Sequence, residues 1–275
     1  MPDPGKHLAS YSAVVVTGGS SGIGKSFIEL GAKLNPELVF CNLSRRSPGE
    51  KIASLLGKRL NHFGCDLSRA GEVRRAAEAV QSWLEKAVPE GRILLINNSG
   101  IGAFGEFPQP NLERQLEIVD LNVRAVVEMT GCFLPLLRRR GGGIINVAST
   151  LGFFPAAFSA TYSASKAFVL HWSLALREDL RGSGIRVLAL CPGTTSTEFF
   201  AAAGQGQGAV VGVLTHQPDE VARKALSALA ANRALVVPGG VNGLYTTLGA
   251  RLPKRWVAGL AGDLMRRLRR TPNHE

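Results

Sequence analysis

A chain of 275 residues with 45% hydrophobic and 19% charged residues has ample apolar mass for one large core, and nothing in it reads as disordered or repetitive. The net charge of +11 does not point to nucleic acid: residues 251–275 carry seven Lys/Arg against Asp263 and Glu275, so nearly half of the excess lies on a C-terminal tail, with no recognised binding module. The longest mostly apolar stretch, within Val126–Leu137, is shorter than the ~20 residues a bilayer span needs, and the opening MPDPGKHLASYSAVVV lacks a signal-type apolar run; the expectation is a cytoplasmic protein.

The first strand, Ala13–Val16, runs into TGGSSGIG (17–24) and a helix over Lys25–Leu34. Strands follow at Leu38–Leu43, Leu60–Cys65 and Arg92–Asn97, with a helix at Glu72–Ala87 between the last two. A long helix over Leu112–Arg138 leads to a strand at Gly143–Val147, and a helix over Ala160–Arg181 to one at Arg186–Cys191. A helix at Asp219–Ala230 precedes a last strand at Ala234–Val237. The strands lack polar alternation, as strands covered on both faces should. Strand–helix alternation throughout predicts an α/β fold: one doubly wound parallel sheet of about seven strands, a single Rossmann domain over residues 1–275 with helices on both faces. Cys41, Cys65, Cys132 and Cys191 show no CxxC or metal-ligand spacing and read as reduced core thiols; no metal site is expected.

Glycines at 18, 22 and 24 end a first strand and open a helix. They let the backbone turn sharply and approach a phosphate, and the helix N-terminus then offers unpaired N–H groups and its positive dipole end. The spacing GxxxGxG is that of a particular subgroup of dinucleotide binders. At the end of the second strand, where NAD binders usually carry an acid for the ribose 2′-hydroxyl, the chain reads CNLSRRS, with Arg45 and Arg46. Guanidinium groups clamp a 2′-phosphate that a carboxylate would repel, so NADP(H) is favoured over NAD(H).

Ser149 follows the strand GIINVA; Tyr162 comes thirteen residues later in TYSASK, and Lys166 one helical turn beyond it. With Asn122 in DLNVRAV, NNSG (97–100) and CPGTTST (191–197), these motifs resemble the classical short-chain dehydrogenase/reductases from about residue 11 to about residue 200, in that family's order and spacing. The tail from about Gln217 looks like the DltE-type branch. The resemblance implies that Tyr162 is the general acid/base, that Lys166 binds the nicotinamide ribose and lowers the tyrosine pKa, that Ser149 steadies the substrate oxygen, and that Asn122 holds a relay water. It implies a cofactor site of Gly18, Ser20, Ser21, Gly22, Ile23 and Gly24 at the pyrophosphate, Asp66 and Leu67 at adenine, and Asn98, Ser99 and Gly100 beside the adenosine ribose. Pro192, Gly193, Thr195 and Thr197 would seat the nicotinamide. Ser99 departs from the family's usual NNAG, a small change in a backbone-lined site.

Phe104, Phe107, Phe153, Phe154, Phe158, Phe199 and Phe200 fall on three loops after strand ends, which points to an apolar carbonyl compound or alcohol, or else to packing beneath those loops. Residues 194–216 are expected to form a substrate loop, with AAAGQGQGAVVG (201–212) as its lid. In the basic extension 251–275, Trp256, Val257, Leu260, Leu264, Met265 and Leu268 fall at helical spacing. That helix either packs on its own domain, the reading its narrow apolar face favours, or touches a membrane surface. The expected activity is carbonyl–alcohol interconversion with NADP(H) in a homodimer or homotetramer. Its rivals are a non-catalytic NADP(H) sensor and the same enzyme held peripherally on a membrane.

Overall fold

The computed structural model describes residues 3–199 and 215–270. Seven strands, β1 (Tyr11–Thr17), β2 (Val39–Ser44), β3 (Leu60–Gly64), β4 (Arg92–Asn97), β5 (Gly142–Val147), β6 (Ile185–Leu190) and β7 (Leu235–Val236), form one sheet in the order β3-β2-β1-β4-β5-β6-β7. All neighbours run parallel. Successive residues of β1 explain the missing polar alternation: Ala13 and Val15 enter the core on one face, Val14 and Val16 the core on the other. β7 has only two residues. Pro238 follows almost at once and has no N–H with which to continue a ladder.

The helices are α1 (Pro4–Leu8), α2 (Gly22–Leu34), α3 (Glu50–Leu56), α4 (Glu72–Ala87), α5 (Leu112–Val119), α6 (Ala125–Arg140), α7 (Ala160–Asp179), α8 (Pro218–Ala230), α9 (Gly240–Arg251) and α10 (Lys254–Arg270). Phe27 and Ile28 of α2 and Val221 and Leu226 of α8 cover one sheet face; Val80 of α4, Phe133 of α6 and Leu176 of α7 cover the other. The order reverses beside β1, which pairs with both β2 and β4. Loops leaving β1 and β4 therefore part in opposite directions and open a crevice above the strand ends. Cys41, Cys65 and Cys191 are buried and Cys132 is half-buried, all as free thiols.

Two departures from the sequence reading matter for the site. The helix expected over Leu112–Arg138 is interrupted by a π-helical turn, Asp120–Arg124, in which the Ala125 N–H donates to the Asp120 carbonyl. Asn122 is the cause within that turn, as its side chain is drawn inward to the strand-end loop. The second departure is α9. Its sequence, GVNGLYTTLGAR, is a poor helix former and is held by packing instead. Asn242 and Thr246 are buried, and the Asn242 amide donates to the Pro238 carbonyl at 2.9 Å.

After β6 the chain is clasped to itself: Thr195 bridges His216 in parallel, with His216 N donating to Thr194 O at 2.9 Å and Ser196 N to His216 O at 3.0 Å. The expected lid at 201–212, together with Phe200 and the last five residues of the basic extension, lies outside the described residues. No helix of the described residues is long and apolar enough to cross a membrane.

Candidate active site

The crevice holds a cavity of about 460 Å³. Its glycine-rich edge is tied to the neighbouring strand ends by side-chain hydrogen bonds. Thr17 Oγ1 accepts from the Asn98 and Ser99 amides, both at 2.9 Å; Asn98 Nδ2 donates to the Thr17 and Gly18 carbonyls; Asn42 Oδ1 accepts from Gly19 N at 2.8 Å. Gly18 has φ +70°, and a Cβ there would lie 2.8 Å from Ser99 Oγ. Neither the conformation nor the space admits a side chain. A Cβ at Gly24 would collide with the Gly18 carbonyl oxygen, which keeps α2 tight under the loop. The helix starts at Gly22 with Ser21 as N-cap and no side-chain cap, so its first amides remain available. Of the expected cofactor residues in this stretch, Gly18, Ser20, Ser21, Gly22 and Ile23 line the cavity, and Gly24 stands behind them. Asn98, Ser99, Gly100, Leu67, Pro192, Gly193, Thr195 and Thr197 line it as well.

Ser149, Tyr162 and Lys166 meet in the same cavity. Ser149 caps the short 3₁₀ turn Thr150–Gly152, its Oγ accepting from Leu151 N at 3.2 Å, and it shares a hydrogen bond with the Tyr162 hydroxyl. Tyr162 and Lys166 stand one turn apart on α7, with Lys166 Nζ 5.9 Å from the tyrosine ring centroid. The ammonium donates to the Val147 carbonyl at the end of β5, at 2.8 Å. Burial pushes the Lys166 pKa down to about 8, against a smaller upward pull from Cys191. Burial likewise pushes the Tyr162 phenol up to about 12, opposed by the Ser149 hydrogen bond. The lowering expected of Lys166 is therefore not what these side chains produce together. Desolvation dominates, and the ammonium is turned to a carbonyl.

Asn122 does not line the cavity. Its Oδ1 accepts from Ile101 N at 3.0 Å, and its Nδ2 donates to Ile101 O at 2.9 Å and to Ser165 Oγ at 3.0 Å. Both amide protons are thus committed to joining the π-helical turn to the β4 loop and to α7. A Cβ at Gly100 would lie 3.2 Å from both Asn122 Oδ1 and Lys166 Nζ, so only a glycine leaves room between them.

Arg45 and Arg46 line the crevice, each facing a carboxylate. Arg46 Nη2 lies 2.7 Å from Glu198 Oε2, across the cleft, and Arg45 Nη1 3.9 Å from Glu117 Oε1. Asp66 Oδ1 accepts from Ser68 N and Ser68 Oγ. Burial raises the Asp66 pKa, but these hydrogen bonds, with Arg45 and Arg69 nearby, outweigh it and hold the carboxyl below its ordinary value.

Among the described residues, the expected phenylalanine wall reduces to Phe104 and Phe199, whose rings lie 6.5 and 5.4 Å from that of Tyr162. Phe153 packs against a small core cluster, Phe154 against Tyr245 of α9, and Phe158 under Arg266, while Phe107 is exposed. Two cavity residues gave no local signal. Tyr245 arrives from α9 and shares a hydrogen bond with Thr150. Arg114 reaches in from α5, donating to Gly102 O and to Glu117. Each enters from a helix that only the tertiary fold brings over the crevice.

The family model for short chain dehydrogenases matches residues 12–208. The mitochondrial D-beta-hydroxybutyrate dehydrogenase of Rattus norvegicus is 34% identical over 191 residues, 67% of this chain and 54% of that protein; the chain spans about half the length of such curated relatives. A solved short-chain dehydrogenase from Sphingobium yanoikuyae in complex with NADPH superposes with a TM-score of 0.71 at 27% identity, covering 96% of this chain and 97% of that one. The 3-ketoacyl-(acyl-carrier-protein) reductase of Brucella melitensis, complexed with NADH, gives a TM-score of 0.71 at 25% identity over 85% of this chain and 99% of that one. With this match over most of its length, on a seven-stranded parallel sheet carrying Ser149, Tyr162 and Lys166 in one crevice, the chain belongs to the short-chain dehydrogenases.

Proposed function

We propose that the chain is an NADP(H)-dependent oxidoreductase that interconverts a ketone or aldehyde and an alcohol on a mostly apolar small molecule. The convergence of Ser149, Tyr162 and Lys166 in a cavity that also contains the glycine loop and Arg45 and Arg46 carries this reading. The uncapped start of α2 and the side-chain-free edge at Gly18 suit a pyrophosphate. Arg45 and Arg46 hold the 2′-phosphate, Asp66 takes the adenine amino group, and Pro192, Gly193, Thr195 and Thr197 seat the nicotinamide. The cofactor, when bound, supplies or accepts the hydride.

The chain's own residues handle the proton. A phenol with a pKa of about 12 is protonated at neutral pH, so Tyr162 is set to donate to a carbonyl oxygen that Ser149 also holds. Lys166, at about 8, titrates near working pH and resupplies the proton. Asn122 acts as a positioning residue that ties the β4 loop to α7 through Ile101 and Ser165. Phe104, Phe199 and Leu151 favour an apolar substrate body, and the Tyr245–Thr150 pair provides one polar contact. Subunits associate through α5 to α7, where Leu112, Leu116, Val119 and Phe168 are exposed.

NADPH oxidation against ketones and aldehydes of graded size, repeated with NADH, tests the reading. Tyr162→Phe should lower kcat about 10²–10⁴-fold while NADPH binding, followed by its fluorescence, persists. Near-normal turnover of that variant would sink the mechanism.

A further inference from the structure

The C-terminal helices have two sides with opposite fates. On α9, Asn242 and Thr246 are buried, Tyr245 enters the cavity, and Gly249 lies against Phe154. The other side carries Val241, Leu244 and Leu248, at the i, i+3, i+7 spacing of a single stripe. Beyond Leu252 and Pro253, α10 repeats the arrangement. Gly262 faces Ala157 and Arg266 covers Phe158, while Trp256 and Leu260 point away. These six large apolar side chains are between 47% and 68% exposed. Of the two readings of this helix, a packing face or a membrane-facing one, the exposure of Trp256 and Leu260 beside a buried Gly262 does not suit packing by those two side chains.

Charge accompanies the stripe. From Val221 to Gly262 the sequence has six Lys/Arg and no Asp or Glu. Arg251, Lys254 and Arg255 are exposed where the two helices meet, among Leu248, Leu252 and Trp256. A second copy of the chain would bring the same cations face to face in an isologous contact. An anionic lipid surface meets both properties, accepting apolar side chains and tryptophan at its interface and attracting cations beside them. We propose that the outer faces of α9 and α10 dock on an anionic bilayer surface, without spanning it, through Val241, Leu244, Leu248, Leu252, Trp256 and Leu260 flanked by Arg251, Lys254 and Arg255. The site wall and the docking face are then two sides of one helix, α9.

Sedimentation with phosphatidylcholine vesicles, with and without about one-third phosphatidylserine, tests this separately from catalysis. The protein should sediment with the anionic vesicles only, with a blue shift of tryptophan emission that Trp256→Phe removes. L244S/L248S keeps every charge and should lower vesicle partitioning by about ten-fold or more. R251E/R255E should do the same, and NADPH binding in solution should be unchanged in both, showing that each variant is folded. Undiminished partitioning of L244S/L248S would reduce the interaction to net charge and overturn the proposal. So would a self-associated form that L244S/L248S dissociates, or binding to an acidic polypeptide without binding to vesicles.

Discussion

Glu198→Gln should tighten NADPH and leave NADH alone, because Arg46 already grips the Glu198 carboxylate that a 2′-phosphate must displace. Two unit charges at the observed 2.7 Å attract by ~1.5 kcal/mol in bulk water. With side chains 67% and 66% exposed, screening and the ordering of two long side chains reduce the net value to ~0.2–1 kcal/mol. Releasing that competitor corresponds to NADPH binding tighter by up to about five-fold. Arg46→Ala removes the guanidinium itself. A charge-assisted hydrogen bond contributes ~1.5–3 kcal/mol, so the NADPH-over-NADH preference should fall roughly 10- to 100-fold. The assay is kcat/KM for each cofactor at fixed carbonyl concentration, at low and at moderate salt; the Glu198→Gln gain should shrink as salt rises. If Glu198→Gln weakened NADPH, or improved NADH equally, the 2′-phosphate would not be competing for Arg46 and the assignment would fail.

Lys166→Met should abolish turnover yet stabilise the cofactor-free protein. Depression of the lysine pKa from 10.5 to about 8 represents ~3 kcal/mol against the folded state, offset by ~1 kcal/mol for the lost hydrogen bond to Val147, leaving a Tm rise of roughly 4–8 °C. The folded pKa lies below the unfolded one, so the penalty is complete below pH 8 and fades above it as the native lysine sheds its proton first. The Tm difference should narrow accordingly between pH 8 and 10.5, and a lower Tm for the variant at neutral pH would contradict the dominance of desolvation. Tyr245→Phe should raise KM about two- to ten-fold for substrates with a second polar group, with cofactor KM unchanged; an equal effect on purely apolar ketones would remove Tyr245 from specificity.

The sheet and the grouping of Tyr162 with Lys166 were legible because their signals are local. Valines 14 to 16 fit a strand covered on both faces, and the spacing from Tyr162 to Lys166 is a property of a single helix. What stayed hidden depends on long-range contact. The π-helical turn follows from Asn122 reaching Ile101 and Ser165, 21 and 43 residues away. Glu198 lies 152 residues from Arg46, so no local pattern could reveal that carboxylate as its partner. α9 has little intrinsic helix preference and forms because Asn242 and Thr246 are buried, which is why Tyr245 went unnoticed. The phenylalanines were read by position after strand ends, a rule that does not distinguish a ring facing the crevice from one supporting the loop beneath it.

The clasp between Thr195 and His216 makes the chain between them an inset with fixed ends. Doubling the length of such a closed segment costs only ~0.6 kcal/mol in chain entropy, while outside it the Pro192 carbonyl accepts from Thr150 N at 3.0 Å and Gly193 packs against the Asn242 amide. A change of length between the clasped residues would therefore leave Ser149, Tyr162 and Lys166 in register with one another.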